Sequence, residues 1–203
     1  MQKTTKIIQA LKAGKIVALE TDTSFSLSVV FDNINALKAL VAIKGTDNPL
    51  LVLLPSINEI EIVVEPLKPI WLDWLNSIWP CPITFILPAK EKVSRIITKE
   101  TGNIAVRVPK HNPLLAFLKE LGKPVIGTSA NPSLKEPAFS IAMVKNYFPN
   151  IEYIWSTSPI SSSRSCLLQS TIVDLTSFPP NLVRAGKVDW NSLPDPPQIG
   201  LLL

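Results

Sequence analysis

Apolar runs in this chain are short, rich in β-branched residues and closed off by polar or turn-forming groups. They are Lys15 to Leu19 (KIVAL), Pro49 to Leu54 (PLLVLL), Ile83 to Leu87 (ITFIL), Ile104 to Val108 (IAVRV), Pro124 to Gly127 (PVIG) and Thr171 to Leu175 (TIVDL). Runs of this length between turn signals are expected to be buried strands, because a helix needs a longer periodic pattern. Leu182-Val183 adds a last strand. Helical spacing lies between some of them. Ile7, Ile8 and Leu11 precede a glycine stop at Gly14, and Asn33 to Ile43 places Ile34, Leu37, Leu40 and Val41 on one face before Lys44-Gly45. Residues 57 to 79 read as two short helices broken by Pro80-Cys81-Pro82, and Pro113 to Leu121 as a helix with proline near its start. Some neighbouring strands have no helix between them. That irregular alternation predicts an α/β fold built on a twisted mixed sheet with flanking helices, not a strictly parallel doubly wound one.

At 203 residues with 46% hydrophobic content, the chain can bury one good core but hardly two. The expected organisation is a single domain over 1–190 and a proline-rich tail over 191–203, with Pro194, Pro196 and Pro197. Ser156 to Ser165 reads as a mobile surface loop. Cys81 and Cys166 lack metal-ligand spacing, so neither a disulfide scaffold nor a zinc site is expected. No apolar stretch approaches the ~18 residues of a spanning helix, and the N-terminus has no signal-peptide pattern, so a cytoplasmic protein without membrane contact is expected. A net charge of +4 suits an anionic ligand or weak RNA contact, yet lacks the clustering of a nucleic-acid footprint.

Familiar catalytic signatures are missing: there is no glycine-rich phosphate loop and no nucleophile elbow. His111, the lone histidine, reads as a surface turn residue, and no catalytic nucleophile or metal ligand is assigned. What stands out is a set of polar groups at the ends of the strands. KIVAL leads into Glu20-Thr21-Asp22-Thr23, IAV into Arg107, and PVIG into Thr128-Ser129-Ala130-Asn131; Ser170-Thr171 opens TIVDL. Open α/β sheets place ligand sites at strand ends, and hydroxyls, amides and arginines suit carboxylate, hydroxyl and phosphate groups. Taken singly, each group would serve equally well as a helix cap or turn stabiliser.

Taken in order, Thr21-Asp22-Thr23, Lys44-Gly45 before Pro49-Leu50, Trp79-Pro80-Cys81-Pro82, Ala105-Val106-Arg107-Val108-Pro109, Ser129-Ala130-Asn131-Pro132-Ser133, Ser170-Thr171 and Arg184-Ala185-Gly186 resemble the motifs of the YrdC family from about Gly14 to Gly186. The chain departs from the family pattern at Ser26, Cys81 and Leu134, where glycines are usual, and at Thr46, where the basic turn carries arginine. The resemblance implies an open sheet with a concave cavity. It also implies synthesis of threonylcarbamoyl-AMP and pyrophosphate from L-threonine, bicarbonate and ATP with Mg2+, in support of tRNA modification by a downstream threonylcarbamoyl transferase complex. Carried over by position, Thr23, Arg107, Ser129 and Ser170 would contact threonine. Lys44, Asn48, Asn103, Asn131 and Arg184 would face ATP. The alternative is a relative that binds RNA or a nucleotide without turnover.

Overall fold

The computed structural model describes residues 2–45, 50–157 and 168–202. Asn33 opens the second helical stretch: its Oδ1 accepts the Ala36 amide at 3.0 Å, so the helix α2 spans Ile34–Lys44 and ends at Gly45. The other helices are α1 (Gln2–Lys12), α3 (Pro69–Ile78), a single turn α4 (Arg95–Thr98), α5 (Asn112–Leu121) and α6 (Ile141–Tyr147). His111 caps α5, its Nδ1 accepting the Leu114 amide at 3.1 Å. The first of the two short helices expected in 57–79 is a 3-10 helix, Ile57–Ile62, and the second is α3.

The strands are β1 (Val17–Glu20), β2 (Phe25–Val30), β3 (Leu51–Leu53), β4 (Ile83–Pro88), β5 (Asn103–Arg107), β6 (Val125–Ser129), β7 (Tyr153–Trp155), β8 (Thr171–Asp174) and β9 (Asn181–Arg184). They form one mixed sheet in the order β7-β1-β2-β6-β3-β5-β4-β8-β9. Three neighbouring pairs are parallel (β1·β7, β3·β5 and β4·β8) and the others antiparallel. The mixed sheet is the one predicted, while β2, β7, α4 and α6 are additions to the expected elements. The serine-rich stretch expected as a mobile loop falls mostly outside the described residues.

Strand alternation sends neighbouring side chains to opposite faces, and here the two faces are used differently. Leu27, Val29, Val52, Phe85, Leu87, Val106, Ile126 and Val173 build the larger core with Leu37 and Leu40 of α2 and Trp71, Trp74 and Leu75 of α3. Val17, Leu19, Val30, Leu53 and Val125 point to the second face, where Ile7, Ile8 and Leu11 of α1 and Leu114, Phe117, Leu118 and Leu121 of α5 cover them. Beyond that cover the second face turns polar. This uncovered part of the sheet holds the site. Among the described residues no helix is long and apolar enough to cross a membrane.

Candidate functional site

An open-mouthed cavity of about 260 Å³ sits on the polar part of the second face. Its lining includes Thr23, Arg107, Ser129 and Ser170, together with Ser26, Thr84, Ala105, Asn131, Gln169, Ile172 and Arg184. The sheet brings these together by register. Ser26 of β2 lies opposite Ser129 of β6, Leu53 of β3 opposite Arg107 of β5, and Ile83 of β4 opposite Thr171 of β8. Groups separated by up to about a hundred and sixty residues in the chain therefore meet across a few strands.

The loop after β1 is folded on its own hydroxyls. Thr21 Oγ1 donates to the Ser24 carbonyl at 2.7 Å and accepts the Thr23 amide at 3.1 Å. This turn directs two buried side chains, Asp22 and Thr23, to the end of β5. Arg107 there is only 2% exposed, and its Nη2 donates to Asp22 Oδ1. Asp22 Oδ2 accepts the Lys110 amide at 2.8 Å, which ties the carboxylate to the chain just beyond Arg107. Both terminal nitrogens of Arg107 reach Thr23 Oγ1, at 3.3 and 3.4 Å, and Nε has no hydrogen-bond partner.

A second guanidinium stands nearby. Arg184 donates through Nε and Nη2 to the Ser170 carbonyl at 3.1 and 2.8 Å, through Nη2 to Ser170 Oγ at 3.2 Å, and through Nη1 to Gln169 Oε1 at 2.6 Å. Ser170 Oγ also shares a 3.0 Å hydrogen bond with Thr84 Oγ1. Burial first, then the charge of Arg107, pulls the Arg184 guanidinium below its ordinary value. Gly186 is required by contact: a Cβ there would lie 2.5 Å from the backbone of Ser170 and Thr171. That close approach lets Lys187 return over the site, where its Nζ donates to the Asp22 carbonyl at 3.0 Å. Arg107, Arg184 and Lys187 thus bring three cations to this side of the site, where the Asp22 carboxylate pairs with Arg107, and the local excess is positive.

Lys44 reaches the opposite rim from the end of α2. Its Nζ donates to the carbonyls of Ser129, at 2.8 Å, and Asn131, and to Asn131 Oδ1 at 3.3 Å. Burial pulls its ammonium down to about 8. Asn131 in turn braces its own turn through Nδ2, which donates to the Lys135 carbonyl at 2.6 Å.

Of the residues singled out in the sequence, Thr23, Arg107, Ser129, Ser170, Asn131 and Arg184 line the cavity and Lys44 reaches its rim. Asn103 shares the face of Arg107 but opens β5, four residues away, and is not among the lining residues. Asn48 and Thr46 lie outside the described residues. Sequence reasoning assigned no role to Asp22, Thr84, Gln169 or Lys187. The signal was adjacency: Asp22 lies inside the T-D-T turn, Gln169 precedes Ser170-Thr171, and Lys187 follows Arg184-Ala185-Gly186.

The arrangement can bind a small anion bearing hydroxyl and amine groups, with further positive charge at the rim. The threonylcarbamoyl-AMP synthase of Pyrococcus abyssi is 31% identical over 180 residues, covering 87% of this chain and 52% of the relative. The synthase of Halorhodospira halophila is 31% identical over 140 residues, covering 68% of this chain and 73% of the relative. This chain therefore spans about half the length of the Pyrococcus protein. The crystal structure of P. abyssi Sua5 complexed with L-threonine superposes with a TM-score of 0.80 at 32% identity, over 90% of this chain and 54% of that one. Escherichia coli YciO shares the fold, with a TM-score of 0.79 at 20% identity over 93% and 91% of the two chains. The family model for Sua5, YciO and YrdC proteins, described as telomere recombination, matches residues 9–186 and so takes in every cavity residue from Thr21 to Arg184. By that match and by its open, polar-faced sheet, the chain belongs to the Sua5/YciO/YrdC family.

Proposed function

We propose that this chain makes threonylcarbamoyl-AMP from L-threonine, bicarbonate and ATP. The observation that carries the proposal is the convergence of Thr23, Arg107, Ser129 and Ser170, from four separate strand ends, on one positively biased cavity. In the proposed reaction bicarbonate takes up a proton and loses water to give CO2, and the threonine nitrogen bonds to the carbon of that CO2 and loses a proton, leaving the carbamate. A carbamate oxygen then bonds to the α-phosphorus of ATP as the bond to the β-phosphate bridge breaks, and pyrophosphate leaves. Such a reaction asks for positioning and charge neutralisation and needs no protein nucleophile.

Arg107 would hold the amino-acid carboxylate, with the hydroxyls of Thr23, Ser129 and Ser170 around its amine and hydroxyl. Lys44, Asn131 and Arg184 would face the phosphates, and Asn48 would join them from outside the described residues. Among the described residues no group of three His, Cys, Asp or Glu side chains could hold a cation. Asp22 is already engaged by Arg107 and the Lys110 amide, so magnesium would enter bound to the nucleotide phosphates. The product would pass in the cytoplasm to a transferase complex acting on tRNA, and weak RNA contact would fit the net charge of +4.

The test is incubation with ATP, magnesium and bicarbonate, with and without threonine. Threonine-dependent release of pyrophosphate and formation of threonylcarbamoyl-AMP are expected. The second reading, nucleotide or RNA binding without turnover, is favoured by Thr46 in place of the pattern's arginine. Salt-dependent tRNA affinity without any pyrophosphate release would select it over synthesis.

A further inference from the structure

We infer that Asp22 is a positioning residue: by holding one corner of the Arg107 guanidinium it aims the remaining donors of that group at the carboxylate of the ligand in the cavity. The inference rests on the proposed amino-acid substrate for its choice of ligand, but its argument is geometric.

An arginine has five N–H donors in a rigid plane, so fixing one corner fixes the direction of all the others. Arg107 is nearly inaccessible, and among the described residues only one carboxylate, Asp22, pairs with it. The contact is one-sided. Asp22 meets Nη2, whereas Nε beside it has no partner. The carboxylate is itself held, because its second oxygen accepts the Lys110 amide at 2.8 Å while Lys187 Nζ bonds to its backbone carbonyl at 3.0 Å. Asp22 is therefore a fixed anchor and not a swinging acid.

The cavity-side edge of Arg107 is held only loosely. Its two Nη atoms share the single hydroxyl of Thr23, at 3.3 and 3.4 Å, which is long for such a bond and neutral at the acceptor. A ligand carboxylate offers two charged oxygens to the same edge and outcompetes one hydroxyl, since charge-assisted bonds are shorter and about twice as strong. Neutralising Arg107 with Asp22 does not cancel the attraction, because Arg184 and Lys187 leave the cluster with a surplus of positive charge. Thr23, displaced from the guanidinium, keeps its 3.1 Å contact with Thr21 Oγ1 and remains beside the ligand.

This separates two roles that a loop carboxylate at a synthase site could have. A proton acceptor for the amine would need a free oxygen facing the cavity. Asp22 has one oxygen on Arg107 and the other on a main-chain amide, and it is not among the lining residues although Thr21 and Thr23 on either side are.

The test uses Asp22→Asn and Asp22→Glu, with Asn keeping the shape and Glu the charge. Two readouts are taken: steady-state KM values for threonine and ATP, and the Arg107 Nε–H nitrogen-proton resonance, identified by its loss in Arg107→Lys, during titration with threonine and with threoninol, which lacks the carboxylate. Wild-type protein should show a shifted Nε–H signal with threonine and none with threoninol. Asp22→Asn should raise the threonine KM roughly tenfold or more with little change in the ATP KM, and should lose the discrimination against threoninol. Asp22→Glu should recover part of both. Equal threonine KM in wild type and Asp22→Asn, in protein that turns over, would overturn the positioning role and leave the synthase reading standing. Absence of turnover with a threonine-specific Nε–H shift that Asp22→Asn abolishes would support the role and overturn the synthase reading. A parallel rise of both KM values with a lowered unfolding temperature would mean that Asp22 acts only on the fold, and would also overturn it.

Discussion

Arg107 owes its place to two constraints that a lysine cannot meet together. It must satisfy the buried Asp22 carboxylate, and in the proposed reaction it must also present a second pair of donors to the substrate. Arg107→Lys keeps the charge and loses the fork. We expect the threonine KM to rise roughly tenfold or more, about 1.4 kcal/mol, while the circular-dichroism spectrum is preserved. Near-normal threonine KM in the folded variant would mean that the carboxylate lies elsewhere. Lys44 carries a prediction on pH. Burial lowers its ammonium from the ordinary 10.5 to about 8, so in the ligand-free protein it loses its charge as pH rises through about 8. ATP affinity should fall over that step, and Lys44→Gln should flatten the profile; calorimetric titrations at fixed ionic strength check both. Stability should move the other way. Between about 8 and 10.5 the unfolded chain holds the proton that the folded chain has released, so raising pH through this window favours the folded state. Motif reading found Arg107 and Lys44 because their residue types announce an anion. It gave Asp22 no role, because which basic group a carboxylate pairs with depends on strands that are distant in sequence.

Between β2 and β6 the packing is set by one missing side chain. Gly127 faces Ser28 in register, and a Cβ built on it would lie 2.2 Å from Ser26 Oγ and 3.1 Å from Ser28 Oγ. The Ser26 hydroxyl fills that space, donating to the Thr128 carbonyl at 3.2 Å and accepting from Ser28 Oγ at 3.1 Å. Gly127→Ala should therefore destabilise the protein by about 1–3 kcal/mol, since the buried hydroxyl must be driven out of its bonds. Ser26→Gly opens the same space. The double variant should be more stable than Gly127→Ala alone, with a coupling of roughly 1 kcal/mol in denaturant titrations. Strictly additive effects would show that the two residues do not share this space. β2 also shows where sequence reading stopped short. Phe25-Ser26-Leu27-Ser28-Val29 alternates with period two, yet it follows the polar turn Thr21 to Ser24 directly, and its serines continue that polar run. β7 and α4 are too short, at three and four residues, for any periodicity to register. The short apolar runs of the central strands, by contrast, are legible because they are apolar or small at nearly every position and closed off by polar or turn-forming groups.

Across the whole molecule the two faces of the sheet divide the work, and stability should separate from ligand recognition along that line. The polar face stays open for the ligand, so the opposite face must supply most of the cohesion. There Trp71 and Trp74 of α3 meet edge-on with ring centroids 5.6 Å apart, and Trp74 packs against Phe85 at 5.4 Å with the rings tilted by 53°. The proline-rich tail is part of this layer. Trp71 Nε1 donates to the Ile199 carbonyl at 3.1 Å, Trp74 Nε1 to the Pro194 carbonyl at 3.0 Å, and Leu67 bridges to Leu202. Trp190, just before the tail, packs edge-on against Trp74 at 6.1 Å and Phe85 at 6.5 Å. Composition marked the tail as distinct but could not say where it docks, because indole donors and main-chain carbonyls pair without any sequence pattern. Trp190→Ala removes a half-buried aromatic from the far side of the sheet and loosens the residues that follow it. The expected loss is about 2 kcal/mol, smaller than for a fully buried tryptophan. For a chain of this size that corresponds to roughly 4–8 °C in unfolding temperature. At temperatures well below the transition the variant should keep the threonine KM of the wild type, since no cavity residue touches Trp190 in the aromatic cluster or the hydrogen-bond pattern. A raised threonine KM at an unchanged unfolding temperature would reverse the argument, and would mean that the tryptophan layer communicates with the site through the strands that separate them.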